Sequence, residues 1–130
     1  MELYQVTIPV RNMPEATAFY LKLGFTLIVD TPDYARFACP QGDSTLSLYL
    51  ETENFANGAT LYFESERLDE RVADLIARDV DFVRLPTAPP YLWREAILKD
   101  PSGNRIKLYR AGKHRLAPPW KVNIHRDNSP

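Results

Sequence analysis

Two stretches of this chain read as copies of one unit, set 55 residues apart. The first runs through Val6-Thr-Ile-Pro-Val10, a helix-like Pro14–Leu23 and Gly24-Phe25-Thr26-Leu27-Ile28. The second runs through Leu61-Tyr-Phe-Glu-Ser65, Leu68–Arg78 and Asp79-Val80-Asp81-Phe82-Val83. In register, Val6, Ile8, Met13, Tyr20, Leu21, Leu27 and Ile28 fall on Leu61, Phe63, Leu68, Leu75, Ile76, Phe82 and Val83. Two strand–helix–strand units of this kind can close a sheet around one cup, and a cup is where a small molecule binds.

A chain of 130 residues suits one domain or two small fused modules. A net charge of −1 gives no global electrostatic case for nucleic acid or an anionic membrane as partner. No apolar run reaches the roughly 18 residues of a membrane span, and the start, Met1-Glu-Leu-Tyr-Gln5, has neither a basic nor an apolar signal core. Cys39 is the single cysteine, so an intrachain disulfide framework is excluded, and it reads as a small, partly buried residue. The expectation is a soluble cytoplasmic protein.

Residues 3–10 alternate, with Val6, Ile8 and Val10 on one face and Leu3, Gln5, Thr7 and Pro9 on the other. Asn12 and Pro14 mark a helix start. Ala16, Phe19, Tyr20 and Leu23 form its apolar stripe, and Gly24 supplies the left-handed stop. Phe25–Asp30, Tyr34–Cys39 and Thr45–Glu51 read as strands, split by turn formers. After a joint at Asn54–Gly58, a strand is expected at Thr60–Ser65 and a helix at Leu68–Arg78. Further strands are expected at Phe82–Leu85, Arg94–Lys99 and Arg105–Arg110. Pro86–Pro90 reads as a loop and Asp100-Pro-Ser-Gly-Asn104 as a hairpin turn. The class is therefore α+β: two β-α-β-β-β modules, about 3–53 and 59–110, pairing into a cup-shaped mixed sheet with helices on the outer face. Residues 1–112 form one domain and 113–130 a tail, whose Leu116, Trp120, Val122 and Ile124 suggest docking on the body or on a second subunit.

Alternation also sorts each strand into a helix-packed and an open face. The open face carries Gln5 and Thr7, then Thr45, Ser47 and Tyr49, then Thr60, Tyr62 and Glu64, then Arg105, Lys107 and Tyr109. Its tyrosines favour partial enclosure, because the rings gain from burial while the hydroxyls need partners. Tyr91 and Trp93, after the proline-rich loop, suit a lid or an aromatic wall, and Arg36 and Arg94 can flank the same space. With His114 and His125 both in the tail, the modules hold no Ser/His/Asp arrangement, and five glycines make no phosphate-cradling loop.

Three segments, Tyr4–Asn12, Ala18–Phe25 and Asp100–Tyr109, in this order and spacing resemble the glyoxalase/bleomycin-resistance/dioxygenase group, the vicinal-oxygen-chelate superfamily. The resemblance covers about residues 3–110. It implies paired β-α-β-β-β modules and frequent dimerisation, and it does not fix the reaction. Metal-using members place four His, Gln or Glu ligands in the cup. The matching positions here are Gln5, Ser47, Thr60 and Lys107. Gln5 fits; Ser47 and Thr60 are poor ligands, and a lysine ammonium offers no lone pair. The resemblance thus implies the fold, while these substitutions point away from a metal or other cofactor. Lys107 then needs a carboxylate partner, from Glu51, Glu64 or Glu95, or a bound anion.

The expected function is metal-independent binding of a small polar or aromatic molecule, as in drug-binding resistance members, which use a groove between two subunits. The expected ligand-binding set is Gln5, Ser47, Tyr49, Thr60, Tyr62, Trp93, Lys107 and Tyr109, in a homodimer. The alternative is a lyase, isomerase or dioxygenase, with Lys107 or Tyr109 in acid–base work or a metal on Gln5 and Glu64. A regulatory module that binds a protein through its tail is the third possibility.

Overall fold

A computed structural model describes residues 1–123. The first module comprises β1 (Gln5–Val10), α1 (Met13–Lys22), β2 (Thr26–Asp30), β3 (Tyr34–Ala38) and β4 (Thr45–Leu50). The second comprises β5 (Thr60–Glu64), α2 (Leu68–Ala77), β6 (Arg84–Thr87), β7 (Arg94–Lys99) and β8 (Arg105–Arg110), and a short 3-10 turn follows at Gly112–His114. The internal repeat is real at the level of structure: both helices have the same length and sit at the same 55-residue offset, Met13 to Leu68. Strand order is β1-β4-β3-β2 in one sheet and β5-β8-β7-β6 in the other. In each, the first strand pairs parallel to the last and the other pairings are antiparallel. The two sheets are separate and do not close into a barrel.

Local chemistry explains the helices. Asn12 accepts the Glu15 amide at 2.9 Å, capping α1, and Pro14 occupies the first turn, where no amide partner is needed. Met13, Ala16 and Tyr20 face inward. The helix stops at Gly24, whose φ of 100° suits a residue without Cβ. In α2, Asp69 and Glu70 in the first turn complement the helix dipole, and Leu68, Val72 and Leu75 are buried. Asp79, at the position matching Gly24, takes φ 65° to make the same stop.

The core is one cluster drawn from both modules, including Ile8, Tyr20, Phe37 and Leu48 from the first and Leu68, Leu75, Leu98 and Ile106 from the second. Phe25 meets Phe63 edge to face at 5.3 Å across the junction. The Asp100–Asn104 turn is also part of this joint. Asp100 is buried and accepts from the Tyr20 hydroxyl at 2.8 Å, the amides of Ser102 and Asn104, and the Asn104 side chain. Asn104 in turn donates to the Pro9 carbonyl, and Arg11 reaches Ser102. Burial and the Asp100 charge push the Tyr20 hydroxyl far above its usual range, so it stays a donor.

One expectation is corrected. The β6 strand lies at Arg84–Thr87 rather than Phe82–Leu85, entering the proline-rich segment. It is an edge strand with a register break, where Pro86 needs no amide partner. At the end of the domain the Ala111 and Gly112 amides donate to Glu64; in the tail Arg115 approaches Glu64 at 3.7 Å, and Leu116, Trp120 and Val122 are exposed. Ile124 and His125 lie outside the described residues.

Candidate functional site

Strand register fixes what each open face carries. On the first module, Gln5, Thr7 and Pro9 of β1 lie beside Thr45, Ser47 and Tyr49 of β4, which lie beside Ala38, Arg36 and Tyr34 of β3. On the second, Thr60, Tyr62 and Glu64 of β5 lie beside Arg105, Lys107 and Tyr109 of β8, which lie beside Lys99, Ile97 and Glu95 of β7. The expected strand residues therefore do share open faces, Gln5, Ser47 and Tyr49 on the first module and Thr60, Tyr62, Lys107 and Tyr109 on the second. Among the described residues, no hydrogen bond or ion pair joins an open-face side chain of one module to an open-face side chain of the other.

The first face is a network of hydroxyls. Ser47 is fully buried and shares a 2.7 Å hydrogen bond with the Tyr34 hydroxyl, which also accepts from Arg36 Nε at 3.0 Å. The bond to Ser47 pulls the Tyr34 hydroxyl below the usual tyrosine range, and Arg36 adds to this against a smaller effect of burial. Gln5 accepts from the Thr45 hydroxyl at 3.1 Å, and Tyr49 stands exposed at the rim.

The second face is built on Glu95. Its side chain is 1% exposed, and a carboxylate so placed needs every oxygen engaged. One oxygen accepts from the Tyr91 hydroxyl at 2.6 Å; the other takes Arg84 Nη2 at 2.6 Å and Lys107 Nζ at 3.3 Å. Burial alone would push the Glu95 carboxyl up. The Tyr91 hydroxyl, the Lys107 ammonium and the Arg84 guanidinium outweigh burial and hold it below the carboxylate range. Burial likewise works against the Lys107 charge, but the Glu95 carboxylate raises its pKa above that of a free lysine. Lys107 is thus a firmly protonated donor, and of the three sequence-level partners Glu95 is the one it takes.

Four aromatic rings surround this group. Trp93 stacks on Tyr109 at 4.7 Å, Tyr62 meets both rings edge-on, and Tyr91 meets Trp93 at 6.1 Å. Lys107 Nζ lies 5.5 Å from the Tyr62 ring centroid. Tyr109 is buried beneath Trp93, and burial with the nearby Glu64 charge raises its hydroxyl pKa. Leu92, the residue before Trp93, has φ 70°, a conformation that costs a branched side chain about 1 kcal/mol or more. That strained turn aims Trp93 onto the sheet. Trp93 Nε1 also approaches the His114 carbonyl at 3.5 Å, the limit of a hydrogen bond.

Sequence reasoning left three contributors aside. Tyr34 and Arg84 were not singled out, and Glu95 appeared only as one possible partner. The signal for Glu95 was present: the five-residue turn 100–104 sets Lys99 opposite Arg105, and so Glu95 opposite Tyr109. Arg94, expected to flank the site, has the opposite parity and pairs with Asp69 of α2 at 3.0 Å.

Of the four positions that the resemblance assigns to metal ligands, only Gln5 offers a suitable donor. Ser47 is sealed against Tyr34, Thr60 offers a neutral hydroxyl, and Lys107 brings an ammonium without a lone pair, directed at Glu95. Among the described residues, no group of three or more His, Cys, Asp or Glu is placed to hold a metal. A separate cleft of about 260 Å³ opens between the modules, lined by Phe25, Cys39, Phe63, Arg71 and Leu108; of the expected ligand set only Tyr62 reaches it. Burial raises the Cys39 thiol pKa there, which makes it a poor nucleophile. No helix among the described residues is long and apolar enough to cross a membrane.

The architecture has close parallels among solved structures. A glyoxalase/bleomycin resistance protein/dioxygenase from Nocardioides is similar with a TM-score of 0.75 at 19% identity, covering 95% of this chain and 90% of its own. A lactoylglutathione lyase from Agrobacterium tumefaciens gives 0.69 at 16% identity, covering 84% and 92%. A bleomycin-binding protein complexed with bleomycin gives 0.70 at 18%, covering 85% and 98%. At these identities the likeness speaks for the fold alone. No curated protein matches the chain. The model of the Glyoxalase/Bleomycin resistance protein/Dioxygenase superfamily, however, matches residues 3–108, nearly the whole of both modules. Repeat, strand order and sequence model agree, and the chain belongs to that superfamily.

Proposed function

We propose that this chain is a metal-independent small-molecule-binding protein, a cytoplasmic homodimer whose ligand lies on the open sheet faces of its 1–112 domain. Gln5, Tyr49, Thr60, Tyr62, Trp93 and Lys107 are the contact residues, with Ser47 and Tyr109 supporting them from beneath. The observation that carries the reading is the Glu95–Lys107 pair at 3.3 Å: a buried carboxylate and a protonated lysine occupy the space where a chelating site would need lone pairs. A similar fold that holds bleomycin is known. Support for the dimer comes from the sheet edges, since β1 and β5 each have one unpaired side, and from the exposed Leu3 and Tyr4 that adjoin β1.

The test pairs size-exclusion chromatography with light scattering and a ligand screen by thermal shift, run with and without a strong chelator. The reading expects a dimer mass and ligand-dependent stabilisation that the chelator leaves unchanged. Stabilisation that vanishes with the chelator, or a monomer that binds nothing, contradicts it.

One observation favours a second reading, an acid–base lyase or isomerase. The Tyr34 hydroxyl, lowered by Ser47 and Arg36, suits proton transfer better than Lys107 or Tyr109, whose pKa values are raised. Under that reading Tyr34→Phe abolishes turnover while ligand affinity holds.

A further inference from the structure

We propose that the ligand is a planar aromatic carboxylate, held on the second module with its ring against Trp93 and Tyr62 and its carboxylate on Lys107 and Arg84. This rests on the binding reading above and names the ligand class for it.

The argument is one of charge and shape. Arg84 and Lys107 share a single carboxylate, Glu95, which leaves one positive charge in surplus at a half-buried position. The chain as a whole carries −1, so this surplus is local. Glu95 cannot serve a cationic ligand, since both of its oxygens already accept from Tyr91, Arg84 and Lys107. The two cations keep free donors: Lys107 Nζ has protons beyond the one directed at Glu95, and Arg84 meets Glu95 through Nη2. Lys99 and Arg105 stand on the same face but are exposed, so solvent and salt screen their charges, while Glu64 is occupied by the Ala111 and Gly112 amides and Arg115. A neutral ligand would leave the surplus charge partly desolvated and unmatched. One surplus charge matches a carboxylate better than a phosphate dianion.

The apolar part of the site is equally specific. Tyr62 is about half exposed and lies next to Lys107, so ring and ammonium occupy neighbouring positions. Trp93 is fixed by its stack on Tyr109, which makes it a preordered platform for a flat ligand. Aromatic faces beside a cation are suited to a ligand that carries both a ring and an anion.

The test is isothermal titration with the isosteric benzoate, benzamide and benzamidine and with the larger phenyl phosphate, with tryptophan fluorescence recorded alongside. Benzoate is expected to bind at least tenfold more tightly than benzamide and phenyl phosphate, with benzamidine weakest. Lys107→Met should weaken benzoate about tenfold and leave benzamide within twofold. Trp93→Ala should weaken benzoate and benzamide alike, and circular dichroism checks that each variant folds. Binding of benzamide or benzamidine at least as tight as benzoate overturns the carboxylate assignment while the binding reading stands. Tighter binding of phenyl phosphate does the same and assigns the site to phosphate esters. Binding of none of the four overturns this proposal, and only a chelator-sensitive ligand or none in the wider screen also removes the reading beneath it.

Discussion

The two modules differ most where their matched positions can be compared directly. Tyr34 and Ser47 of the first correspond in the sheet to Glu95 and Lys107 of the second. In one the pair is a 2.7 Å hydroxyl–hydroxyl hydrogen bond; in the other it is an ion pair at 3.3 Å. On the opposite face the modules agree: Phe37 opposite Leu46 corresponds to Leu98 opposite Ile106, all buried and apolar. One strand parity keeps the fold, and the other is free to vary in chemistry. The sheet tolerates either pair because each satisfies its own buried polar atoms.

The largest expected effect tests the shared face. Phe37→Ala and Leu98→Ala each remove a fully buried side chain and should cost about 3–5 and 2–5 kcal/mol respectively in urea unfolding. A near-zero cost for either would show that its module is not part of the common core. Next comes Glu95→Gln, which leaves Lys107 and Arg84 without their counter-charge. Discounted for the exposure of Arg84, the loss is about 2 kcal/mol at neutral pH.

The same variant has a pH signature. Glu95 is held below its unfolded value, so its contribution is present above the ordinary carboxylate range, near pH 4.3, and is lost as pH falls through the folded value. Wild-type stability should therefore decline on acidification below about pH 5, and Glu95→Gln should flatten that decline. Equal slopes in both proteins would remove Glu95 from the account. The smallest effect is Ser47→Ala, which deletes the neutral counterpart at about 0.5–1.5 kcal/mol and allows the Tyr34 pKa to rise toward an ordinary tyrosine. Spectrophotometric titration of tyrosine reads this directly; an unchanged profile would mean that Arg36 alone holds Tyr34.

Much of the fold was legible because the repeat is written in apolar spacing. Both helices and the strands Arg94–Lys99 and Arg105–Arg110 are where periodicity puts them. The β6 strand was displaced because apolar Phe82 and Val83 draw the reading toward themselves, while the ladder runs on into Pro86-Thr87 at an edge. The open faces were legible as parities: Gln5, Ser47, Thr60 and Lys107 all fall on the open side of their strands. What alternation alone could not rank was partner choice among Glu51, Glu64 and Glu95. The register set by the 100–104 turn puts Glu95 on the same face as Lys107, and its burial between Arg84, Tyr91 and Lys107 settles the choice.

Native mass spectrometry of freshly purified protein, with elemental analysis of the same sample, tests the proposal of metal-independent binding most directly. The account predicts a dimer without stoichiometric transition metal, able to retain a small aromatic acid. Stoichiometric zinc, nickel, iron or manganese would contradict it, and the chemistry of Gln5, Ser47, Thr60 and Lys107 would have to be read again.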